Sequence, residues 1–269
     1  MIRKNKNLIE RINCKIIIIG NEVLDGQVHE SNAFWMIKRL SEMGGIVRKV
    51  IYIEDNIQII AKEIRNELIE NCRVLITSGG LGPTNDDITL AGIAEGLKRP
   101  LKLNEEALSM IKYRYRKLLE EGRTTTSEMT KERMKMSYIP EASIPLFNNA
   151  GTAPGVFLNS GNVSFAALPG VPDELKYIFD NSLMPFLKNI LPSGINKIQK
   201  TIILDSIDES LIAEKLSKVR ENYKHLYIKS KPGKEATFNK IEIVVTGTGL
   251  KEKIENDIEE VFNFFKYYI

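Results

Sequence analysis

Three Ile- and Val-rich runs, each followed by a polar turn and a helical repeat, constrain this chain more than any other feature. The runs are Lys15–Ile19, Ile46–Ile53 and Val74–Thr77. The first and third are continuously apolar after their opening residue, as strands covered on both faces are. Between the runs, Ser31 or Asn32 can cap a helix reaching Met43, with Gly44 as its stop. Asp55 or Asn56 can cap a second helix, whose apolar stripe is Ile57, Ile60, Ile64 and Leu68. A third helix is expected from about Asp87 to Leu97. This β–α–β–α–β–α order demands a parallel sheet with right-handed crossovers.

The pattern continues with a helix over Glu105–Glu121, capped by Asn104, and a polar, then helical, stretch over Arg123–Met136 that is placed to cover a site. Short strands follow at Ile144–Phe147, Val156–Asn159 and Val163–Leu168, the last two joined by a Ser160-Gly161 turn. LPGVPDEL leads into a helix from Pro172 to about Leu191, and LPSGIN at 191–196 reads as a linker. Beyond it comes a β-α-β-β-α unit: Ile198–Leu204, Asp208–Tyr223, Leu226–Lys229, Lys240–Val245 and Lys251–Tyr267. The expected fold class is α/β, with a mostly parallel sheet in residues 1–192 and a small α+β domain in residues 193–269.

Composition narrows the function. A net charge of +3 with scattered basic residues argues against a nucleic-acid partner. The apolar run KIIIIG is far shorter than the ~20 residues of a membrane helix, so a soluble cytoplasmic protein without a membrane partner is expected. Two cysteines, Cys14 and Cys72, without a CxxC, argue against structural zinc. Two histidines far apart in sequence, His29 and His225, argue against Ser/His or Cys/His catalysis.

Chemistry is expected beyond the carboxyl ends of the parallel strands. Three polar features fall there: Gly20-Asn21-Glu22, Asp55, and TSGGLGPTNDDIT at 77–89. Glycines let main-chain N–H groups approach an anion, and the following helix start adds partial positive charge. Gly79, Gly80, Leu81 and Gly82 are therefore candidates for a phosphate seat. Thr84 and Thr89 join the candidate substrate-binding set, as does Glu22. The plain alternative is a tight turn with Asp86 or Asp87 as N-cap. The stretch lacks the lysine of a P-loop and the third glycine of a dinucleotide fingerprint, where Asn85 stands instead. Carboxylates beside a phosphate repel it unless a divalent metal joins them. Asp86 and Asp87 are the candidate metal ligands, with Asp55 and Glu22 able to add oxygens. One aspartate as a cap and the other as a solvated charge is the alternative.

Five motifs in order, GNEVLDG…SN, IEDN, TSGGLGPTNDDIT, NNAGTAPG and LPGVPDEL, resemble the N-terminal domain of the CinA (competence/damage-inducible) proteins. That domain is similar to the molybdopterin-binding fold of MogA and MoaB. The resemblance covers about residues 14–190; the tail is similar to the small domain of CinA proteins by pattern only. It implies a three-layer α/β/α domain, a pocket for a phosphorylated pterin or nucleotide, and a homodimer. In the MogA-like branch two aspartates carry adenylylation, and they map onto Asp55 and Asp87. The CinA branch is associated with metal-dependent hydrolysis of ADP-ribose or similar pyrophosphates. Bacterial CinA proteins usually continue into a nicotinamide-mononucleotide deamidase domain; with the sequence ending at Ile269, that activity is expected to be absent. Asn149 replaces a frequent proline, and Glu30 stands where Asn or Asp is more usual.

The resemblance makes GTAPG and LPGVP pocket walls, with Gly151, Pro169 and Gly170 lining the site and Asn148 and Thr152 bonding a base or ribose. Loop punctuation is the alternative. Glu174 reads as a helix-start acid, Trp35 as core and His29 as solvated near the rim. Arg123 and Lys135 are equally readable as phosphate contacts from a cover or as surface charges. The leading expectation is a pyrophosphatase acting on ADP-ribose or a related dinucleotide. Asp55, Asp86 and Asp87 would be its catalytic set, with Mg, Mn or Co as cofactor and AMP and a sugar phosphate as products. The rival expectation is a molybdopterin carrier or assembly protein without turnover. An RNA-binding role for the small domain is disfavoured because Lys231–Lys234 lacks a GxxG.

Overall fold

The computed structural model describes residues 11–70, 72–192, 194–204, 209–232 and 240–268. Two compact units divide the chain. Residues 12–40 and 45–191 form the first; residues 192–269 form the body of the second, which also takes in 41–44.

In the first unit the chain runs β1 (Ile12–Ile19), α1 (Asn21–Leu24), α2 (Asn32–Glu42), β2 (Gly45–Ile53), α3 (Ile57–Ile69), β3 (Val74–Ser78) and α4 (Thr89–Leu97). There follow β4 (Leu101–Leu103), α5 (Glu105–Glu120), α6 (Lys131–Lys135), β5 (Tyr138–Pro140), β6 (Ile144–Leu146), β7 (Gly155–Ser160) and β8 (Val163–Leu168). The unit closes with α7 (Pro172–Ile178), a π-helical turn at Phe179–Leu183, and α8 (Met184–Ile190). The six-stranded sheet has the order β2-β1-β3-β8-β7-β6. Its first four strands are parallel; β7 runs antiparallel to them, and β6, antiparallel to β7, restores their direction. β4 and β5 form a separate antiparallel pair.

Strand alternation sorts β1 between two layers. Ile17 and Ile19 join Ile60 and Ile64 of α3, Ile93 of α4 and Ile111 of α5 in one buried cluster. Ile16 and Ile18 face the opposite way and are equally buried. On α2, Trp35 meets Phe179 of the π-helical turn edge-on, with ring centroids 5.2 Å apart. The result is the expected three-layer α/β/α domain.

Several boundaries differ from the sequence reading for identifiable reasons. Asn56, not Asp55, caps α3; its side chain accepts from the amides of Gln58 and Ile59. The helix expected from Asp87 starts at Thr89, leaving both aspartates in the turn. Leu68 is 38% exposed, while neighbouring Glu67 is fully buried. Glu67 is buried because Lys15, also buried, pairs with it, and Lys49 lies 3.6 Å from its other oxygen. An apolar stripe read by spacing alone cannot anticipate a charge neutralised from a neighbouring strand. Cys14 and Cys72 are free buried thiols, and burial pushes the Cys72 thiol up to about 11.

The second unit consists of β9 (Ile195–Leu204), α9 (Glu209–Asn222), β10 (Tyr227–Pro232), β11 (Ile241–Leu250) and α10 (Lys251–Tyr268). Its antiparallel sheet has the order β10-β11-β9. Ile243 and Val245 pack with Leu216 of α9 and Ile258 and Phe265 of α10. His225 and Asp257 are 2.7 Å apart within it. Of the Lys231–Lys234 loop considered for RNA, Gly233 and Lys234 lie outside the described residues. Among the described residues no helix is long and apolar enough to cross a membrane.

Candidate functional site

From β1 the chain goes to β2 on one side and then to β3 on the other. A switch of this kind opens a crevice at the carboxyl ends of the two strands. Gly20 and Gly79 stand at those ends. Asn21 and Asp55 lock the first two strand ends together. The Asn21 amide donates to Asp55 Oδ2 at 2.9 Å, and the Asp55 amide donates to Asn21 Oδ1 at 3.2 Å.

The glycine turn is shaped by tight quarters. Gly79 and Gly80 have φ of 113° and 65°, in the left-handed region that glycine alone enters freely. A Cβ at Gly79 would lie 2.0 Å from the Ile19 carbonyl oxygen, and one at Gly80 2.3 Å from Thr89 Oγ1 and 3.5 Å from Asp55 Oδ1. The Gly79 amide donates to the Leu168 carbonyl at 3.0 Å, and the Gly80 carbonyl accepts from the Thr89 amide at 3.2 Å. Among the described residues the amides of Gly80, Leu81 and Gly82 donate to nothing. Thr89 is wholly buried beside them, and its hydroxyl has no partner there either.

Asp87 closes the turn on itself. Its Oδ2 accepts from the Thr84 amide at 2.8 Å and from the Thr84 hydroxyl at 2.6 Å. Asp86 is exposed, and its carboxyl is held below the usual range by the Thr84 side chain, then by its own amide, with a lesser contribution from Lys135. The Lys135 ammonium reaches across to the Thr84 carbonyl.

On one side of the turn opens a cavity of about 520 Å³. Gly80, Leu81, Gly82 and Asp87 border it, facing Leu90 of α4, Leu101 and Tyr138 of the β4–β5 pair, and Lys131, Met134 and Lys135 of α6. The polar stretch 123–136 thus supplies a cover, as its composition implies. Arg133 anchors that cover, stacking 3.8 Å from the Tyr115 ring centre and donating to the carbonyls of Thr126 and Glu128. Arg123 is not among the cavity's lining residues and pairs with Glu121 at 3.5 Å.

On the other side lies a narrow cleft of about 80 Å³, bordered by Glu22, His29, Glu30, Asn32, Ser78 and Gly170. Asn32 Nδ2 donates to the Gly170 carbonyl at 2.7 Å and to Ser78 Oγ at 3.1 Å. Ser78 in turn donates to the Pro169 carbonyl at 3.2 Å. Sequence reading took Asn32 for a helix cap and passed over Ser78. Glu30 does the capping, accepting from the Ala33 amide at 2.8 Å and from the Tyr52 hydroxyl at 3.2 Å. The burial of Asn32, at 6% exposed, marks it as more than a cap, and nothing in the local sequence signals that burial.

The NNAGTAPG loop is self-contained. Asn148 Oδ1 accepts from the amides of Ala150 and Gly151, and its Nδ2 donates to the Ala153 carbonyl and to Glu174. Arg114, also buried, donates to the Gly151 carbonyl and to Asn149 Oδ1, both at 2.9 Å. Asn148, Gly151 and Thr152 line neither the cavity nor the cleft. The Asn148 and Gly151 polar groups bond within the loop and to Arg114 and Glu174. Glu174 is more than a helix-start acid. Burial raises its carboxyl above the usual range, against the opposing pull of Asn148 and Arg114.

The candidate carboxylates divide between the turn, the cleft and solvent. Asp55 faces Gly80, Asp87 faces Gly82, Glu22 lies in the cleft and Asp86 in solvent. Among the described residues no three His, Cys, Asp or Glu side chains are placed to hold one metal ion. Asp87 is bonded to Thr84 while Asp86 is exposed, so the two neighbours occupy different surroundings.

Residues 15–189 match the family model described as probable molybdopterin binding domain. The chain is similar to a protein of Sulfurisphaera tokodaii, 36% identical over 253 residues and 92% of each chain. A Saccharolobus solfataricus protein is 36% identical over 249 residues, covering 92% of this chain and 88% of its own. The crystal structure of the protein CinA from Thermoplasma acidophilum superposes with a TM-score of 0.58 at 34% identity, over 67% of this chain and 99% of that one. A switch-point crevice, a glycine turn with open amides, and a match over the whole unit that bears them lead to one conclusion: the chain belongs to the molybdopterin-binding domain family.

Proposed function

We propose that this protein binds a phosphorylated pterin of the molybdopterin class, with the phosphate on the main-chain amides of Gly80, Leu81 and Gly82. One observation carries the reading: three adjacent amides without a partner among the described residues, at the switch point of the sheet, on a turn tied to the start of α4 by the Thr89 amide and the Gly80 carbonyl. Successive main-chain amides left open in this way favour an anion. Lys135, bonded to the neutral Thr84 carbonyl, adds a positive charge over the turn that offsets the Asp55 and Asp87 carboxylates beside the amides. The cavity of about 520 Å³ leaves room for a group attached beyond the phosphate.

The test is a fluorescence titration of the full chain with 6-hydroxymethylpterin phosphate, on wild type and Gly82→Ala. A Cβ at Gly82 would lie 2.6 Å from Asp87 Oδ2, so the substitution displaces the carboxylate that Thr84 holds, and the melting temperature is read beside the affinity to separate a lost seat from a loosened turn. Binding to wild type, weakened roughly tenfold in the variant while the melting temperature shows the protein still folded, supports the reading. Equal affinity for both proteins, or none for either, contradicts it.

A hydrolytic reading takes second place. Its specific support is that Asp55 and Asp87 flank the turn, at Gly80 and Gly82. Metal-dependent cleavage of ADP-ribose or a related pyrophosphate would need a cation that substrate oxygens help to hold. Metal-loaded protein incubated with ADP-ribose, FAD or NAD would then release AMP, and Asp87→Asn would not. Absence of AMP with every substrate and metal removes this reading and leaves the binding one standing.

A further inference from the structure

We infer that Lys49 sets the register of β2, and through it the position of Asp55 beside the glycine turn, by taking the buried Glu67 carboxylate in place of its neighbour Arg48.

The apolar pattern of β2 does not choose a register. A straight strand would put Ile46, Val50 and Tyr52 with Arg48 on one face, and Val47, Ile51 and Ile53 with Lys49 on the other. Each face would carry three apolar or aromatic side chains and one cation, so pattern alone barely opposes a slip by one residue. β2 is also the outer strand of its sheet, paired with β1 alone. Yet the strand is not straight. Cys14 pairs with Val47 and Lys15 with Lys49, which leaves Arg48 as an extra residue. Beyond that bulge Lys49, Ile51 and Ile53 share a face with Lys15, Ile17 and Ile19, toward α3. Bulges re-aim side chains in this way.

The carboxylate that the bulge serves lies on α3. Glu67 is fully buried; Lys15 pairs with one of its oxygens, and Lys49 lies 3.6 Å from the other, Oε1. Glu67 Oε1 has no hydrogen-bond partner among the described residues, so Lys49 is the charge that compensates it. A buried carboxylate oxygen stripped of that charge is costly. In the unbulged register Lys15 would face Arg48, and Lys49 would turn to the opposite face. The two cations therefore compete for one oxygen, one in each register. In the observed register Arg48 turns to solvent, its Nε donating to Asn13 Oδ1 at 3.1 Å. The Tyr52 hydroxyl bond to Glu30 favours the same register, but it is exposed and adds little.

Register reaches the site because β2 runs directly toward Asp55. With Ile19 facing Ile53, Asn21 and Asp55 exchange their hydrogen bonds, at 2.9 and 3.2 Å. Asp55 Oδ1 then lies 3.5 Å from where a Cβ of Gly80 would sit. In the unbulged register Ile19 would face Tyr52, and Asp55 would stand one residue, about 3.3 Å, farther along. The exchange with Asn21 would be lost. Lys49 is thus a positioning residue, acting on the turn's surroundings through the strand.

The test compares amide spectra and cross-strand contacts of the ¹⁵N-labelled full chain, without added ligand, for wild type, Lys49→Met, Arg48→Met and Lys49→Arg. Wild type should give one set of signals and a contact between Ile19 and Ile53. Lys49→Met should raise the share of the second register roughly tenfold or more, the cost of a buried charged oxygen left unpaired. A second set then appears at Asn21 and at residues 50–55, with a contact between Ile19 and Tyr52, while β8 stays single. Arg48→Met removes the competitor and should keep one set. Lys49→Arg keeps a cation within reach of Glu67 and should return the second set to the wild-type level. One unchanged set in Lys49→Met, or doubling in Arg48→Met, overturns the assignment. So does a disturbance spread over the whole first unit that Lys49→Arg shares, since loss of register would stop at the strand and Asn21. Because the spectra are those of free protein, these outcomes leave the pterin reading untouched.

Discussion

Two glycine-rich loops lie in the first unit, and they solve the same backbone problem in opposite ways. In NNAGTAPG the side chain of Asn148 takes up the amides of Ala150 and Gly151, and Arg114 takes up the Gly151 carbonyl. In TSGGLGPTNDD the amides of Gly80, Leu81 and Gly82 are left open, with a buried unpartnered hydroxyl, Thr89, beside them. Glycine permits both arrangements; what separates a wall from a binding seat is where the neighbouring donors and acceptors go. A loop that satisfies itself is architecture. A loop that leaves adjacent donors open at a strand switch point is a place for an anion.

The largest expected effect is on the open turn's own geometry. Gly79→Ala would force a Cβ to 2.0 Å from a backbone oxygen at φ 113°, and neither side can yield cheaply. Thermal denaturation should register a loss of about 3 kcal/mol. Gly151→Ala meets the end of the Glu174 side chain at a similar separation, and a side chain can move, so its loss should be about 1 kcal/mol. Equal losses would break the contrast between the loops.

Arg114→Ala comes next. It strips the closed loop of two hydrogen bonds from a buried cation, 5% exposed, and should cost about 2 kcal/mol by denaturant titration. Pterin-phosphate affinity should stay within about twofold, because the closed loop touches neither the turn nor the cleft. Lys135→Met is the reverse case. Stability should hardly change, while phosphate affinity falls about threefold to tenfold and loses part of its salt dependence.

The smallest effect concerns pH. Burial raises the Glu174 carboxyl above its unfolded value, so folding favours its protonated form. Its contribution to stability is complete below the ordinary carboxylate range and fades as pH rises through the elevated value. Glu174→Gln should flatten that limb of the stability profile. An unchanged profile would place the closed loop's pH response elsewhere.

Much of the architecture was legible because periodicity reports directly on burial. The runs at 15–19, 46–53 and 74–77 are β1, β2 and β3 within a few residues, and the glycine turn sits where a parallel sheet puts its ligands. The cover over the cavity was legible too, from the change of texture at 123–136. The site's finer division was not. Asn32 and Ser78 meet across 46 residues, and Asn148 meets Glu174 across 26, so no local pattern announces either pairing. Glu67 shows the same limit in the core, since only Lys15 and Lys49 explain a carboxylate on a buried stripe. Acidic residues adjacent in motif order were read as one group; the fold places Asp55 and Asp87 beside the turn, Glu22 in the cleft and Asp86 in solvent.

The amide spectrum of the ¹⁵N-labelled full chain, recorded as 6-hydroxymethylpterin phosphate is added, bears most directly on these claims. Progressive shifts at Gly80, Leu81 and Gly82, absent when the unphosphorylated alcohol is used at equal concentration, are the predicted result. Shifts confined to Ala150 and Gly151, or identical responses to both compounds, would mean that the open amides do not seat the ligand's phosphate.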